Sequence, residues 1–215
     1  MEYGKTIKDA EELAKILIKK KARKSVGIYY FMWGFYTLYI TLFFAILNIL
    51  NITSTLPYVL GNLPVIIPLY YTFKLIRDIN WEYIVFKYKI KDKYIEKARK
   101  QFNIKFAKWV IFTSLIILVF LVIIPNITTS EIITLGSVYV FIGFVIYGLY
   151  QMLYSKYRIV EPRYYDLLAM ISFPFSGPVM AGLVPPIMSF SIYMLISMAW
   201  LYASFRSILE VSEIE

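Results

Sequence analysis

Long uncharged stretches alternate along the chain with short polar breaks. No Asp, Glu, Lys or Arg occurs in Gly27–Leu50, Thr55–Phe73, Val110–Ile124, Ile132–Ser155 or Leu167–Phe205. A helix needs about 20 predominantly apolar residues to cross the hydrocarbon core of a bilayer. In lipid, only a helix or a closed barrel satisfies its own backbone. The pattern predicts an all-α, polytopic membrane protein with six spans: Gly27–Leu50, Thr55–Lys74, Ala107–Ile124, Ile132–Tyr154, Tyr164–Leu183 and Val184–Arg206. They pair as three in-out-in hairpins, residues 27–74, 107–154 and 164–206. Polar breaks separate the first four spans, whereas Gly177-Pro178 and Pro185-Pro186 alone separate the last two.

The segments between hairpins have helical periodicity of their own. In the tail, residues 1–26, Ile7, Ala10, Ala14 and Leu17 form one apolar face beside an acidic patch of Asp9, Glu11 and Glu12. In residues 75–106, Trp81, Ile84, Val85 and Tyr88 follow helical spacing, as do Ile95, Ala98, Phe102 and Trp109. Span two is therefore expected to run on as a helix, turn near Lys91-Asp92-Lys93 and return into span three. The acidic patch of the tail is expected to face Lys91, Lys93 and Arg99. A loop at 155–163 and a tail at 207–215 complete the domain organisation.

Composition agrees with the pattern, since 60% of residues are hydrophobic and 17% charged, against roughly 45–50% and about 25% in soluble domains. Placement of charge adds orientation. Of 23 Lys and Arg, 8 lie in the tail, 11 in Lys74–Lys108, 3 in Lys156–Arg163, and Arg206 is the last. The turns Asn51–Ser54, Pro125–Glu131 and Gly177–Pro186 hold none. Basic residues stay on the cytoplasmic side, so the expectation is a multi-pass protein of the cell membrane with both termini cytoplasmic. The first 24 residues are polar, so span one is expected to serve as its own uncleaved insertion signal. Lys19, Lys20, Lys21, Arg23 and Lys24 should meet anionic headgroups at about 1 kcal/mol each. Tyr29, Tyr30 and Trp33 would anchor the span at the interface. That rule accounts for the net charge of +9 without nucleic acid as a partner.

An internal repeat is also expected. Lys97-Ala98-Arg99-Lys100 copies Lys21-Ala22-Arg23-Lys24, and at the same offset Ile104, Trp109, Thr113 and Leu118 match Ile28, Trp33, Thr37 and Leu42. One deletion later, Asn126-Ile127-Thr128 matches Asn51-Ile52-Thr53, and Leu135-Gly136 matches Leu60-Gly61. Because each unit holds two spans, the copies would be parallel.

Candidate chemistry is limited by what is missing. Histidine and cysteine are both absent, which removes Ser–His nucleophiles, thiolates and most transition-metal sites. Every Asp and Glu lies outside the spans or at their edges, so a proton relay of the usual intramembrane type is not expected. Neither an enzyme, a metal nor a cofactor is expected. Asn51-Ile52-Thr53 and Asn126-Ile127-Thr128 are sequons, but their turns are short. Helix capping explains them better, with Thr128-x-x-Glu131 as a capping box for span four. Asn62, Pro64 and Pro68 in span two, and Pro174 and Gly177 in span five, are candidate helix breaks that could line a pathway. Gly27 and Gly34, Gly136 and Gly143, and Ser197 and Ser204 share a seven-residue spacing that suits close helix packing or the seam of a homo-oligomer.

Two function classes follow. The order of amphipathic tail, two spans, cytoplasmic helices and four further spans resembles, in architecture and not in any motif, the permease subunits of ATP-binding-cassette exporters. That resemblance implies a transport or translocation component with a cytoplasmic ATPase as partner. The other class is a structural or assembly subunit of a membrane complex. Trp81, Tyr88 and Phe102 on the basic projection are the expected docking residues for a soluble partner; the equal alternative is a closed three-helix cluster in which these rings pack against one another and the tail helix.

Overall fold

The computed structural model describes residues 2–52, 55–89, 92–154 and 160–213, and every regular element among them is helical. α1 spans Glu2–Ile49, α2 Thr55–Asn62, α3 Ile66–Tyr88, α4 Asp92–Ile117, α5 Ile124–Ile127, α6 Glu131–Leu153, α7 Tyr164–Ser172, α8 Ser176–Met180 and α9 Pro186–Glu213. Four helices are long and apolar enough to cross a membrane, within Ala10–Ile49, Tyr94–Phe120, Glu131–Leu153 and Pro186–Glu213. The protein is a helical membrane protein.

α1 runs unbroken for 48 residues, so tail and first span are one rod with no boundary at residue 26. Nothing in Glu2–Ile49 interrupts it, since prolines are absent there. It stops at Asn51, whose φ of 53° is left-handed. Asn51 N–H bonds the Asn48 carbonyl at 3.1 Å and Ile52 N–H bonds the Leu47 carbonyl at 3.0 Å. This is a Schellman C-cap, and asparagine tolerates the conformation it needs.

The second and fifth expected spans are broken rods. A 3-10 turn, Leu63–Val65, joins α2 to α3, and a second, Phe173–Phe175, joins α7 to α8. Each is centred on a proline, Pro64 or Pro174, whose missing N–H and bulky ring break the i→i−4 ladder. Beyond the second break, Gly182 at φ 74° closes α8, with Leu183 N–H bonding the Pro178 carbonyl at 2.9 Å. The turn into α9 therefore sits at Ala181–Pro185, and Gly177 lies inside α8 instead. α4 passes through a π-helical stretch, Leu118–Ile123, before Pro125 in α5. Thr128 ends α5 and is not the cap of α6. Its hydroxyl accepts the Ser130 N–H at 3.1 Å, and Ser130 is the N-cap residue.

α1 is the central helix, packed mainly along α9 and α3. The two glycines of α1 set that approach. A Cβ on Gly34 would come within 3.0 Å of Trp200 Cβ, and one on Gly27 within 3.1 Å of Ser207 Cβ. Around this seam lies an aromatic core. Trp200 contacts Tyr29, Tyr30 and Phe173 with ring centroids 5.9, 5.6 and 5.2 Å away. Trp33 contacts Phe141 at 6.2 Å.

Tyr29, Tyr30 and Trp33 are thus core residues, each at most 1% exposed, and not interfacial anchors. Their polar tips find partners inside the protein. Trp33 Nε1 donates to Thr72 Oγ1 at 3.0 Å, Tyr29 to the Val145 carbonyl and Tyr30 to Asp166. Buried phenols and indoles usually need such partners.

At the basic end α3 and α4 extend past the apolar zone, where Phe73, Trp109, Phe106, Phe102 and Trp81 form a ladder of successive ring contacts. α1 lies alongside, with Glu11 bonded to Lys89 at 2.6 Å and Lys21 paired with Glu82. Residues 90–91 and the side chains of Asp9 and Lys93 lie outside the described part, so the expected facing of the acidic patch onto Lys91 and Lys93 does too. The pair observed is Glu11 with Lys89. The two hairpins matched in sequence share one local device: the Thr37 hydroxyl donates to the Trp33 carbonyl at 2.8 Å and the Thr113 hydroxyl to the Trp109 carbonyl at 3.0 Å. They differ elsewhere, since a Cβ on Gly61 would collide with the Phe43 ring whereas one on Gly136 would meet nothing.

Candidate functional site: a closed charge cluster at the basic end

Three helices meet at Arg23. α1 supplies Arg23 and, two turns on, Tyr30. The first turn of α7 supplies Tyr165 and Asp166, and α9 supplies Glu210. Asp166 is drawn into position locally, because its Oδ2 accepts the backbone N–H of Arg163, three residues earlier, at 2.6 Å. A carboxylate is stabilised at a helix N-terminus by the free N–H groups and the dipole.

Arg23 spreads its donors over the cluster. Nη1 reaches Asp166 Oδ2 at 2.9 Å and Oδ1 at 3.3 Å, and Nε reaches Glu210 Oε2 at 2.9 Å. Nη2 donates to the Tyr165 hydroxyl, which in turn donates to Glu210. The guanidinium carbon also stands 4.6 Å from the centroid of the Tyr165 ring. Tyr30 completes Asp166 with a 2.5 Å bond to Oδ1. Arg163 closes the outer side, giving Nε and Nη2 to Glu210 Oε1 at 3.1 and 3.0 Å. The hydrogen bond from its side chain to Glu210 and that carboxylate's charge hold the Arg163 guanidinium above its ordinary range.

Two cations and two carboxylates leave the cluster neutral. Every nitrogen of the Arg23 guanidinium and every oxygen of both carboxylates carries a bond within the cluster. What this arrangement can do is hold α1, α7 and α9 in one register. Next to it, the buried Ser204 and Ser207 hydroxyls have no partner among the described residues.

Arg23 is therefore not a headgroup ligand, because only 2% of it is exposed and Asp166 and Glu210 take its charge. Its four lysine neighbours stay outside. Lys19 lies 3.8 Å from Glu161 and Lys21 pairs with Glu82, while Lys20 and Lys24 have no ion-pair partner among the described residues. Sequence reasoning missed this cluster, having placed Asp166 merely at a span end. One signal was available: Arg23 is the single arginine among the basic residues of the tail, and a planar fork suits two carboxylates where an ammonium does not.

The expected docking residues divide. Trp81 and Phe102 are half-buried on each other, with ring centroids 5.6 Å apart, whereas Tyr88 is 63% exposed. The candidate helix breaks are not brought together. Pro64 and Pro68 belong to the α2–α3 rod, where Asn62 accepts a 3.4 Å bond from Tyr36. Pro174 and Gly177 belong to the α7–α8 rod, and α6 touches both rods. The cavity between Trp33, Thr72, Trp109, Thr113, Phe144 and Gly148 measures about 20 Å³, room for one water. No family model, no characterised protein and no solved structure matches this chain.

Proposed function

We propose that the chain is a non-catalytic subunit of the cell membrane that holds a soluble cytoplasmic partner beneath the bilayer. In this reading six spans cross, as three hairpins, and both termini are cytoplasmic. The observation that carries it is the continuity of α1. One 48-residue helix runs from the basic projection to the aromatic core, and the Arg23 cluster ties its middle to α7 and α9. A partner bound below would therefore be mechanically joined to the bundle.

Within the projection, Trp81 and Phe102 serve the fold and Tyr88 is the residue left to a partner. Lys20 and Lys24 are the side chains left for anionic headgroups. Hairpins one and two are read as parallel copies, supported by the shared Trp-x-x-x-Thr device. Such a subunit could serve translocation, with an ATPase as partner, or assembly. The cavity beside Trp33, with room for a single water, leaves no passage at that point and favours assembly for one copy of the chain; translocation would need another route, such as the outer face of the bundle or a seam between copies.

Isolation of the tagged protein from its own membrane in mild detergent tests this. A soluble protein should co-purify in stoichiometric amount and be lost on Tyr88→Ala. An ATPase in that position selects translocation. Recovery of the chain without any stoichiometric soluble protein overturns the proposal.

A further inference from the structure

A groove of about 570 Å³ opens between α6 and the α7–α8 rod. Its floor is Ile146, Met170, Pro174 and Pro178, and Leu167, Ile171 and Phe175 stand at its rim with 48%, 64% and 64% exposure. Tyr139 is the one lining residue with a polar side-chain atom.

Two sequence features that the cluster leaves unexplained meet here. The first is the proline break. The 3-10 turn Phe173–Phe175 bends the rod, which is pinned to α9 by the Trp200 Nε1 bond to Ser172 Oγ at 3.2 Å. Farther along it is pinned to α6 at Gly177, where a Cβ would come within 2.6 Å of the Tyr139 ring. The second is the glycine spacing. Gly136, Tyr139, Gly143 and Ile146 share one face of α6 by helical spacing. A Cβ at Gly136 or Gly143 would meet nothing within 4 Å. These glycines do not bring helices together; Gly143 lies between Tyr139 and Ile146, the two α6 residues that line the groove.

From Leu167 to Pro178 the groove runs about 16 Å at ~1.5 Å per residue. That is about half of a ~30 Å hydrocarbon core, one leaflet deep. Its volume falls in the range of roughly 300–1,000 Å³ typical of ligand sites. It begins one turn inside Arg163 and offers no charged group along its length. We infer that this groove seats one hydrocarbon chain of a phospholipid from the leaflet at the basic end, with its headgroup at the Arg163 end. Gly143 is the specificity-determining position, because it sits between the lining residues Tyr139 and Ile146 on the same helix face and the space at its Cβ is open.

Vesicles of phosphatidylglycerol carrying a photoactivatable group midway along one acyl chain test this, with labelled residues mapped by mass spectrometry. Label should concentrate on Ile146, Met170 and Ile171 over Leu195 and Ile132, which are 67% and 83% exposed elsewhere. Gly143→Leu should lower that label about tenfold. It should not lower the unfolding midpoint, since leucine is the better helix former and its Cβ meets nothing within 4 Å. Ile171→Trp fills the groove from the opposite wall and decides the matter if the first variant folds poorly. Label spread evenly over all lipid-facing residues, or unchanged in both variants, overturns the inference. So does a dimer that Gly143→Leu converts to monomer while the label stays, because a second copy would then be the occupant.

Discussion

Arg23 and Asp166 are separated by 143 positions in the chain, yet their side chains meet at 2.9 Å with 2% and 0% exposure. Such a pair is poor evidence of net stabilisation, because desolvation offsets most of the attraction. Removing one member is another matter, since it strands the other charge away from water. Asp166→Leu should cost about 3–5 kcal/mol, measured as unfolding in detergent. Arg23→Met with Asp166→Leu should recover more than half of that loss. Arg23→Lys should behave as a damaging change, because an ammonium cannot serve Asp166, Glu210 and Tyr165 together. A double variant no better than Asp166→Leu alone would show that the cluster acts through something other than its charges.

The glycines separate packing from open space. Gly34→Leu must displace Trp200 and Leu201 and should destabilise by about 1–3 kcal/mol. Gly136→Ala meets nothing and should be neutral, or stabilising by up to about 1 kcal/mol. Thermal unfolding of the two proteins side by side is sufficient. Equal losses at both positions would remove the α1–α9 seam as the explanation.

On the projection, Trp81→Ala and Phe102→Ala should each destabilise by about 0.5–3 kcal/mol. Their effects should be less than additive, since each removes the same ring contact. Tyr88→Ala should change stability by less than about 0.5 kcal/mol while releasing the soluble partner. A Tyr88→Ala protein that unfolds as readily as Trp81→Ala would make all three residues part of the fold.

Orientation can be read chemically, because the chain has no native cysteine. An impermeant thiol reagent applied to intact cells should label Ser130→Cys and leave Lys89→Cys and Ser212→Cys untouched until the membrane is opened. The reverse pattern inverts the topology. Label on Ser130→Cys and Ser212→Cys together means an odd number of crossings.

Membrane class, the helix breaks at Pro64 and Pro174 (but not one at Pro68, which lies inside α3) and the continuation of α3 out to Tyr88 were legible in the chain alone. Each follows from local composition: charge-free length, a missing N–H, a run of helical spacing. What spacing cannot say is which face of a helix meets a neighbour. Gly27–Gly34 and Gly136–Gly143 have the same interval, yet the first pair is pressed against α9 and the second borders empty space. Tyr30 and Phe31 are adjacent on α1, yet one is fully buried and the other 47% exposed. In water, apolar character marks the buried face. In a bilayer the lipid is as apolar as the core, so hydrophobicity no longer distinguishes inside from outside. The same limit applied at Arg23, where five basic residues read alike as a headgroup patch. Only the convergence of α7 and α9 on α1 brought two carboxylates to the one guanidinium that turns inward.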